Sequence, residues 1–345
     1  MKAQLILENG KIFNGRAFGH IREAVGEVVF NTSMAGYQEI ITDPSNYGKI
    51  ITMTYPLVGN YGLNLDDSQS KGAKIKALIV REKADNPSNW RNEMTLDDYL
   101  KQHRILGLEG IDTRALTKII RNEGSMKAII TMRELSKGQI DLHFETSNDE
   151  SGFEYVSTKE KYVIEGSGKH IGLIDLGITN NIIDSLKKRN AKLTVYPHSV
   201  STEELIEDNL DGILVSNGPG NPEKLTELAS NLKLLTGKIP LFGIGLGNEV
   251  LALSLGAKIS KMKYGHRGSN LPVKDIANNK ILITWQNHSC QVLVDSLPED
   301  LEITHKNIND DSVEGIENKK LKAFGVEFYP DDRIFDKFFN YMEEK

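Results

Sequence analysis

The order of apolar and polar positions divides the chain into two regions of different character. The N-terminal region has short alternating apolar runs, punctuated by Gly and Asn, at Leu5–Leu7, Val28–Phe30, Ile50–Thr52 and Ala77–Val80. Two helical patterns follow, at Thr95–Gln102 and Thr113–Arg121. A period of two is typical of strands with one buried face. The pattern therefore predicts a mixed β/α domain.

In the C-terminal region, short apolar runs alternate with amphipathic segments. The runs are Ile171–Asp175, Leu193–Tyr196, Gly212–Ser216 and Ile239–Ile244, and the segments are Asn181–Lys188, Glu203–Asp208, Glu223–Leu235 and Glu249–Leu255. Strand–helix alternation predicts an open parallel sheet with helices on both faces. Ligands bind beyond the carboxyl ends of such strands, so residues 216–221 and 245–248 are candidate site loops.

A polar stretch, residues 136–169, separates the two regions. It is rich in Gly, Ser, Asn and acidic residues, among them Asn148, Asp149, Glu150 and Ser151. We interpret it as a linker that contains a strand near Phe153–Val156. The predicted boundaries are 1–135 for the N-terminal domain, 136–169 for the linker and 170–345 for the C-terminal domain. Two domains also fit a 345-residue chain at about 150 residues each.

Charge and composition exclude several classes of function. The chain has 42 Lys and Arg against 48 Asp and Glu, a net charge of −6, so it lacks the basic surplus that binds nucleic acid. Its apolar runs fall short of the roughly 18 to 20 residues that span a membrane. The first 20 residues contain no signal-peptide core, and the single cysteine, Cys290, forms no internal disulfide. We therefore expect a cytoplasmic protein.

Generic cofactor motifs are not present in the sequence. Gly243–Gly247 lacks the third glycine of the dinucleotide-binding fingerprint, and the phosphate-binding P-loop pattern does not occur. The eight histidines have no metal-ligand spacing, and a structural zinc site with one thiol is not expected. The acidic pair Asp310–Asp311 is interpreted as solvated loop charge. We expect neither a nucleotide nor a metal in this chain.

The segment Pro240–Leu253 predicts a buried strand, a tight glycine turn and a helix. This is the geometry of a nucleophile elbow, in which the turn residue presents its side chain near a helix N-terminus. Backbone N–H groups nearby can stabilise an oxyanion. The turn residue here is Gly245, which has no side chain to present.

Several longer motifs identify a family. They are Gly26–Ile40, Asp43–Ser45, Thr54–Gly62, Pro87–Arg91, Gly110–Arg114, Ser216–Pro222, Lys261–Gly268 and Gln286–His288. Over essentially its whole length, the chain resembles the small subunit of carbamoyl phosphate synthetase, a class I glutamine amidotransferase. The resemblance implies that family's N-terminal domain followed by the amidotransferase fold.

The chain departs from this family at the catalytic residues. The family elbow reads Gly-Ile-Cys-Leu-Gly-His-Gln, and here it reads Gly243-Ile-Gly-Leu-Gly-Asn-Glu249. The family's His-Pro-Glu, which supplies the base and the carboxylate that orients it, is Tyr329-Pro-Asp331. Gly245 cannot form the thioester, and a phenol with a reference pKa of about 10 is a poor base at neutral pH. The resemblance thus implies a degenerate triad at Gly245, Tyr329 and Asp331.

The family's glutamine pocket is partly kept. Five positions retain the family's residue types: Ser45, Gly218, Gly220, Leu246 and Asn287. Glu249 stands where a glutamine usually contacts the substrate, and Ser289 and Cys290 replace a glycine and an aromatic residue. By the same resemblance, His266 and His288 are expected to be structural hydrogen-bonding residues. We expect a pocket that is no longer tuned to L-glutamine.

The resemblance implies a partner. In the family, the small subunit releases ammonia from glutamine for a large subunit, which uses ATP, Mg²⁺ and bicarbonate and is contacted mainly by the N-terminal domain. We expect a complex without glutaminase activity, in which the large subunit takes free ammonia, for either arginine or pyrimidine synthesis. Two alternatives stay open: an active subunit with Cys290 as nucleophile, and a free-standing binding or regulatory protein that uses the old pocket for another ligand.

Overall fold

The computed structural model describes residues 1–147 and 152–343, which form two compact units, Met1–Asp149 and Glu150–Lys345. Asn148, Asp149, Glu150 and Ser151, which the sequence assigns to the linker, lie outside the described residues. Within the described ranges, no helix is both long enough and apolar enough to cross a membrane.

The first unit is built on a closed β-barrel. Its strands are β1 (Lys2–Leu7), β2 (Ile12–Gly19), β3 (Ala24–Asn31), β4 (Lys49–Met53), β5 (Leu57–Val58), β6 (Ala77–Ile79), β7 (Glu82–Lys83), β8 (Leu106–Glu109) and β9 (Met126–Thr131). The barrel order is β1-β2-β8-β6-β4-β3-β9, and β5 pairs with β7 beside it. The predicted mixed β/α character is confirmed. Barrel closure depends on pairings between strands distant in sequence, which local alternation does not encode.

The helices of the first unit are α1 (Tyr37–Thr42), α2 (Leu96–Gln102), α3 (Thr113–Glu123) and α4 (Lys137–Thr146). The two helical patterns read from the sequence correspond to α2 and α3. Both begin at a capping side chain, since Thr95 Oγ1 accepts from the Asp98 amide and Asp112 Oδ1 accepts from the Ala115 amide.

The second unit is built on one long mixed sheet. Its strands are β10 (Tyr162–Ile164), β11 (His170–Asp175), β12 (Lys192–Pro197), β13 (Gly212–Val215), β14 (Leu241–Ile244), β15 (Ile259–Asp275), β16 (Lys280–Val292), β17 (Glu302–Asn307), β18 (Val313–Asn318) and β19 (Ala323–Val326). Their order is β10-β12-β11-β13-β14-β19-β18-β17-β15-β16. Strands β12, β11, β13 and β14 are parallel, as predicted, and β19 adds a fifth parallel strand that was not predicted. The sheet continues beyond β19 through four antiparallel strands, β18, β17, β15 and β16, which were not predicted.

Helices cover both faces of the parallel strands. They are α5 (Phe153–Val156), α6 (Asn180–Lys187), α7 (Thr202–Glu207), α8 (Thr226–Leu235), α9 (Leu246–Ser254) and α10 (Asp332–Glu343). Ile213 and Val215 of β13 pack with α7, α8 and α9, whereas Leu214 packs with α6 and α10. Because neighbouring residues of a strand point to opposite faces, this alternation confirms the predicted two-sided packing.

The predicted linker holds more regular structure than expected. The strand proposed near Phe153–Val156 is wrong, because these residues form the short helix α5. Phe153 is buried and its ring packs edge-on against His198 at 5.2 Å, so its apolar character reflects packing of a helix. The same stretch contains α4 and β10. The predicted helix at Glu223–Leu235 is divided into a 3-10 turn at Pro222–Leu225, which begins with a proline, and α8.

Candidate functional site

Gly245 forms the turn between β14 and α9, as the elbow pattern predicts. Its backbone has φ 54° and ψ −118°, a conformation that L-residues adopt only under strain. Its amide donates to Val326 O at 2.8 Å, and its carbonyl accepts from the Glu249 amide at 3.0 Å, which begins the helix. A Cβ built on Gly245 lies 3.6 Å from the nearest atom, Asn217 Cβ, an ordinary contact. The elbow is therefore formed and has room for a Cβ, but presents no side chain.

Two glycines allow the predicted loops to meet at the carboxyl edge of the sheet. A Cβ on Gly218 would lie 2.0 Å from Leu176 O, and a Cβ on Gly247 would lie 2.1 Å from Val215 O. Only glycine allows the backbone to pass so closely at these points. Asn217, after β13, thereby lies beside Gly245, after β14. Residues 216–221 and 245–248 meet, as the strand pattern predicts.

Tyr329 lies next to this edge. Its amide donates to Trp285 O at 2.9 Å, and its ring stacks on Trp285 with centroids 4.1 Å apart. Asn217 Nδ2 lies 3.4 Å from the Tyr329 hydroxyl. The structure therefore brings both Gly245 and Tyr329 to Asn217, with Trp285 covering the phenol ring.

Asp331 has a different environment. Its Oδ1 accepts from the Arg333 amide at 3.1 Å and from the Ile334 amide at 3.3 Å, so it caps the start of α10. Its Oδ2 accepts from Arg333 Nε at 2.9 Å, and 47% of its side chain is exposed. The carboxylate of Asp331 thus serves as the N-terminal cap of α10 and as the partner of Arg333.

Four of the remaining pocket residues lie on α9, in the loop after β13 and in a 3-10 turn of the first unit. Leu246 and Glu249 are buried on α9, and Gly220, with φ 112°, shapes the loop after β13. Ser45 belongs to the first unit, where it is buried in a 3-10 turn and its amide donates to Asp43 Oδ1 at 2.9 Å.

The last three pocket residues lie on β16; they are Asn287, Ser289 and Cys290. Ser289 accepts a hydrogen bond from Arg267 Nη2. Cys290 is buried and lies opposite Lys261 in the β15–β16 hairpin. The cysteine therefore belongs to a hairpin strand and not to the elbow turn.

A buried group of histidines and carboxylates, which the sequence analysis missed, lies between the hairpin and β18. His266 Nδ1 lies 3.0 Å from Glu314 Oε1, and His266 Nε2 lies 2.9 Å from Asp310 Oδ2. Burial opposes a charge on His266, but its hydrogen bonds to the acceptor oxygens of Asp310 and Glu314 outweigh burial and raise its pKa to about 9. Burial likewise opposes a charge on Glu314, yet His288 and His266 lower its pKa to about 2. Asp310 and Asp311 are exposed loop residues, as the sequence analysis expects, and Asp310 also forms a hydrogen bond with the buried His266 ring.

Two more carboxyls extend this group, Glu327 after β19 and Glu249 on α9. Glu327 is fully buried, and its Oε1 accepts from Asn248 Nδ2 at 2.8 Å. Burial, together with the nearby charges of Glu249 and Glu314, raises the pKa of Glu327 well above its usual 4.5. Glu327 thus lies within electrostatic reach of two other buried carboxyls, Glu249 on α9 and Glu314 on β18.

Sequence spacing could not reveal this group. His266, His288 and Glu314 come from β15, β16 and β18, and Glu327 follows β19. Sheet pairing brings these positions together, whereas metal motifs are recognised by short local spacings. As expected, both histidines are hydrogen-bonded structural residues.

Comparison with known proteins gives consistent matches over both units. Residues 5–130 match the carbamoyl-phosphate synthase small chain, CPSase domain, and residues 172–334 match the class-I glutamine amidotransferases. The chain is 50% identical over 349 residues to a protein of Clostridium perfringens (strain 13 / Type A) named carbamoyl phosphate synthase small chain, covering 99% of each chain. It is 45% identical over 352 residues to the carbamoyl phosphate synthase pyrimidine-specific small chain of Bacillus subtilis (strain 168), covering 99% of this chain and 96% of that one.

Proposed function

The chain belongs to the carbamoyl phosphate synthase small-chain family, and from that premise we propose that it is a subunit without glutaminase activity. It would bind a large subunit that makes carbamoyl phosphate from free ammonia. ATP and Mg²⁺ would be bound by that partner.

The observation that carries this proposal is the glycine at the elbow. Hydrolysis of glutamine through a thioester needs a thiolate at this turn, because a neutral amide does not otherwise form the covalent intermediate. Gly245 keeps the strained turn and the space for a side chain, but supplies no nucleophile. Deletion of the nucleophile in a well-studied hydrolase triad costs on the order of a million-fold in rate.

The surroundings of Tyr329 and Asp331 support the same conclusion. The Tyr329 phenol packs on Trp285 and lies beside the side-chain amide of Asn217, so a phenol stands where the family has its imidazole base. Asp331 is engaged by the start of α10 and by Arg333. A thiol introduced at the elbow would therefore lack both a base and a group to orient it.

A partnership is supported by what the chain retains. Residues 5–130 match the domain characteristic of small chains, and the relatives are matched over nearly their full length. We propose that residues 1–135 contact the large subunit, with residues 136–169 joining them to the amidotransferase-like domain at 170–345. A small subunit that binds only the folded partner stabilises it by mass action, even without chemistry of its own.

Reconstitution with the large subunit encoded in the same genome tests this proposal. We expect the purified pair to co-elute in size-exclusion chromatography and to make carbamoyl phosphate from ammonium chloride but not from L-glutamine. Two single-component reactions, the large subunit alone and the small subunit alone, serve as controls.

Three outcomes would contradict the proposal. Glutamine-supported synthesis that disappears in Cys290→Ser would identify Cys290 as a displaced nucleophile. Glutamine-supported synthesis that survives this substitution would reveal another route to ammonia. Failure of the two chains to associate would favour a free-standing binding protein.

A further inference from the structure

We propose that His266, His288 and Glu314 form a buried site for one divalent transition-metal cation, with Zn²⁺ as the probe. The site does not depend on the function proposed above. It would tie the β15–β16 hairpin to β18, directly below the helix that follows the elbow.

The spacing of the donor atoms fits a metal ion. One ligand atom from each of the three residues lies within 4.8 Å of the others, and all three residues are buried. His266 Nδ1 is 3.0 Å from Glu314 Oε1, and His288 Nε2 is 3.6 Å from Glu314 Oε2. Ligands of tetrahedral zinc, with bonds of 2.0 to 2.1 Å, lie roughly 3.3 Å apart. The two separations to Glu314, one to each of its carboxylate oxygens, bracket this value.

In each imidazole, one ring nitrogen faces away from Glu314. It lies next to an oxygen that can only accept a hydrogen bond. His266 Nε2 faces Asp310 Oδ2 at 2.9 Å, and His288 Nδ1 faces the Cys290 carbonyl at 2.8 Å. Each of these nitrogens must therefore carry a hydrogen, and in the neutral form of each ring this leaves the lone pairs of His266 Nδ1 and His288 Nε2 directed at Glu314. Metal-binding histidines are oriented in this way by carboxylate or carbonyl partners.

Glu314 supplies a second, independent indication. Its side chain has no exposed surface, and its Oε2 has no hydrogen-bond donor among the described residues. Its Oε1 accepts from Asn307 Nδ2 at 3.1 Å, a group that also lies 3.3 Å from His266 Nδ1. A buried carboxylate oxygen without a donor is costly, and a cation between Glu314 and the imidazoles would remove that cost.

The donor set selects the class of ion. Two imidazole nitrogens and one carboxylate suit zinc or ferrous iron, whereas Mg²⁺ and Ca²⁺ prefer oxygen ligands alone. A further oxygen is near, since Gln286 Oε1 lies 3.3 Å from His288 Nε2 while Gln286 Nε2 donates to Thr284 Oγ1 at 2.9 Å. Burial of these ligands fits a structural site.

One competing arrangement has no ion. If each imidazole carries a second proton, both rings donate to Glu314, and the cluster is satisfied as a salt-bridge network. The two arrangements differ in metal content and in the response of the folded protein to added Zn²⁺.

The test uses the full chain without an affinity tag. Bound metal is first removed with a chelator, and the metal-free protein is then dialysed against Zn²⁺. We expect one zinc per chain by elemental analysis, a saturable isotherm in titration calorimetry, and a thermal midpoint raised by about 5 °C at 100-fold excess over Kd. Mg²⁺ at the same concentration should leave the midpoint unchanged.

Two variants and a matched control locate the ion. Glu314→Gln keeps the shape of the side chain and removes its charge, and His288→Gln removes an imidazole; each should weaken Zn²⁺ binding by at least about 10-fold. His305→Gln alters another buried histidine, on β17, outside the ligand set and should still bind one zinc. Circular dichroism of each variant before zinc addition verifies that it is folded.

Two results would overturn the proposal. The first is a wild-type protein that binds less than one zinc per chain and whose thermal midpoint does not respond to the ion. The second is a folded Glu314→Gln variant with wild-type zinc affinity. Either would leave the protonated salt-bridge network as the explanation of the cluster.

Discussion

Asn217 Nδ2 lies 3.4 Å from the hydroxyl of Tyr329, although the two residues are 112 positions apart in the chain. Asn217 follows β13 and Tyr329 follows β19, so this contact joins two loops at the carboxyl edge of the sheet. The elbow glycine lies beside the same asparagine. The elbow edge of the sheet thus carries a side-chain amide next to a stacked phenol.

Packing on Trp285 should stabilise this edge more than the hydrogen bond does. We expect Tyr329→Phe, which removes only the hydroxyl, to lower the free energy of unfolding by less than about 1 kcal/mol. Trp285→Ala removes the stacked partner and should cost about 2 kcal/mol. Chemical denaturation followed by circular dichroism measures both. A larger loss in Tyr329→Phe would show that the hydroxyl is the dominant contact.

The backbone of Gly245 should resist any side chain, even though space is present. Because φ is 54° and ψ is −118°, we expect Gly245→Ala to cost about 1 to 3 kcal/mol of unfolding free energy. Fluorescence of Trp285 in a Trp90→Phe background follows the unit that contains the elbow, since the chain has only two tryptophans. Gly138→Ala, at an open position of α4, is the control and should be neutral or slightly stabilising. Equal effects of the two substitutions would exclude strain at the elbow.

Gly218 should tolerate an added side chain less well than Gly245 does, and for a different reason. Its substitution by Ala would place a Cβ 2.0 Å from Leu176 O, and a backbone carbonyl cannot rotate away as a side chain can. We expect Gly218→Ala to cost about 3 kcal/mol and to separate the loop after β13 from β11. Thermal unfolding of the full chain checks the loss. A wild-type midpoint would mean that the loop relaxes without cost.

The parts of the fold that local patterns specify were predictable from the sequence. Four of the five parallel strands and the helices α6 to α9 follow from alternating apolar runs, and α2 and α3 begin where Thr95 and Asp112 provide caps. The elbow could be located because a buried strand, a glycine turn and a helix are contiguous in sequence. Barrel closure and the buried cluster around Glu314 could not, because both depend on pairing between distant strands. Phe153 was assigned to a strand because a four-residue segment with three apolar positions fits either a strand or a helix.

His170 should make stability depend on pH. Burial, followed by the charge of Lys192, lowers its pKa below the usual 6.5, and its Nε2 lies 2.8 Å from Thr194 Oγ1. The unfolded chain therefore takes up a proton at higher pH than the folded chain does. Its contribution to stability is present above pH 6.5 and is lost as pH falls through the folded pKa.

Nuclear magnetic resonance titration measures this effect directly. The His170 signal, assigned by its absence in His170→Gln, should titrate with a midpoint below 6.5. Unfolding of His170→Gln should depend less on pH than that of the wild type between pH 7.5 and 5. A midpoint at or above 6.5 would contradict the effect of burial.

Restoring the thiol alone should not restore glutaminase activity. Gly245→Cys places a nucleophile on a turn that already has the elbow conformation, and its Cβ has an ordinary contact with Asn217. However, Tyr329 is stacked on Trp285 and provides no imidazole, so the thiol gains no general base. We expect Gly245→Cys to react with a thiol reagent while ammonia release from L-glutamine stays at background. Gly245→Ser, which has no thiol, is the matched control for labelling.

Addition of Tyr329→His and Asp331→Glu should be required before any turnover is measurable, because nucleophile, base and orienting carboxylate act as one unit. Turnover by Gly245→Cys alone would instead mean that a base already lies beside the elbow, and His288 would be the first residue to substitute in search of it.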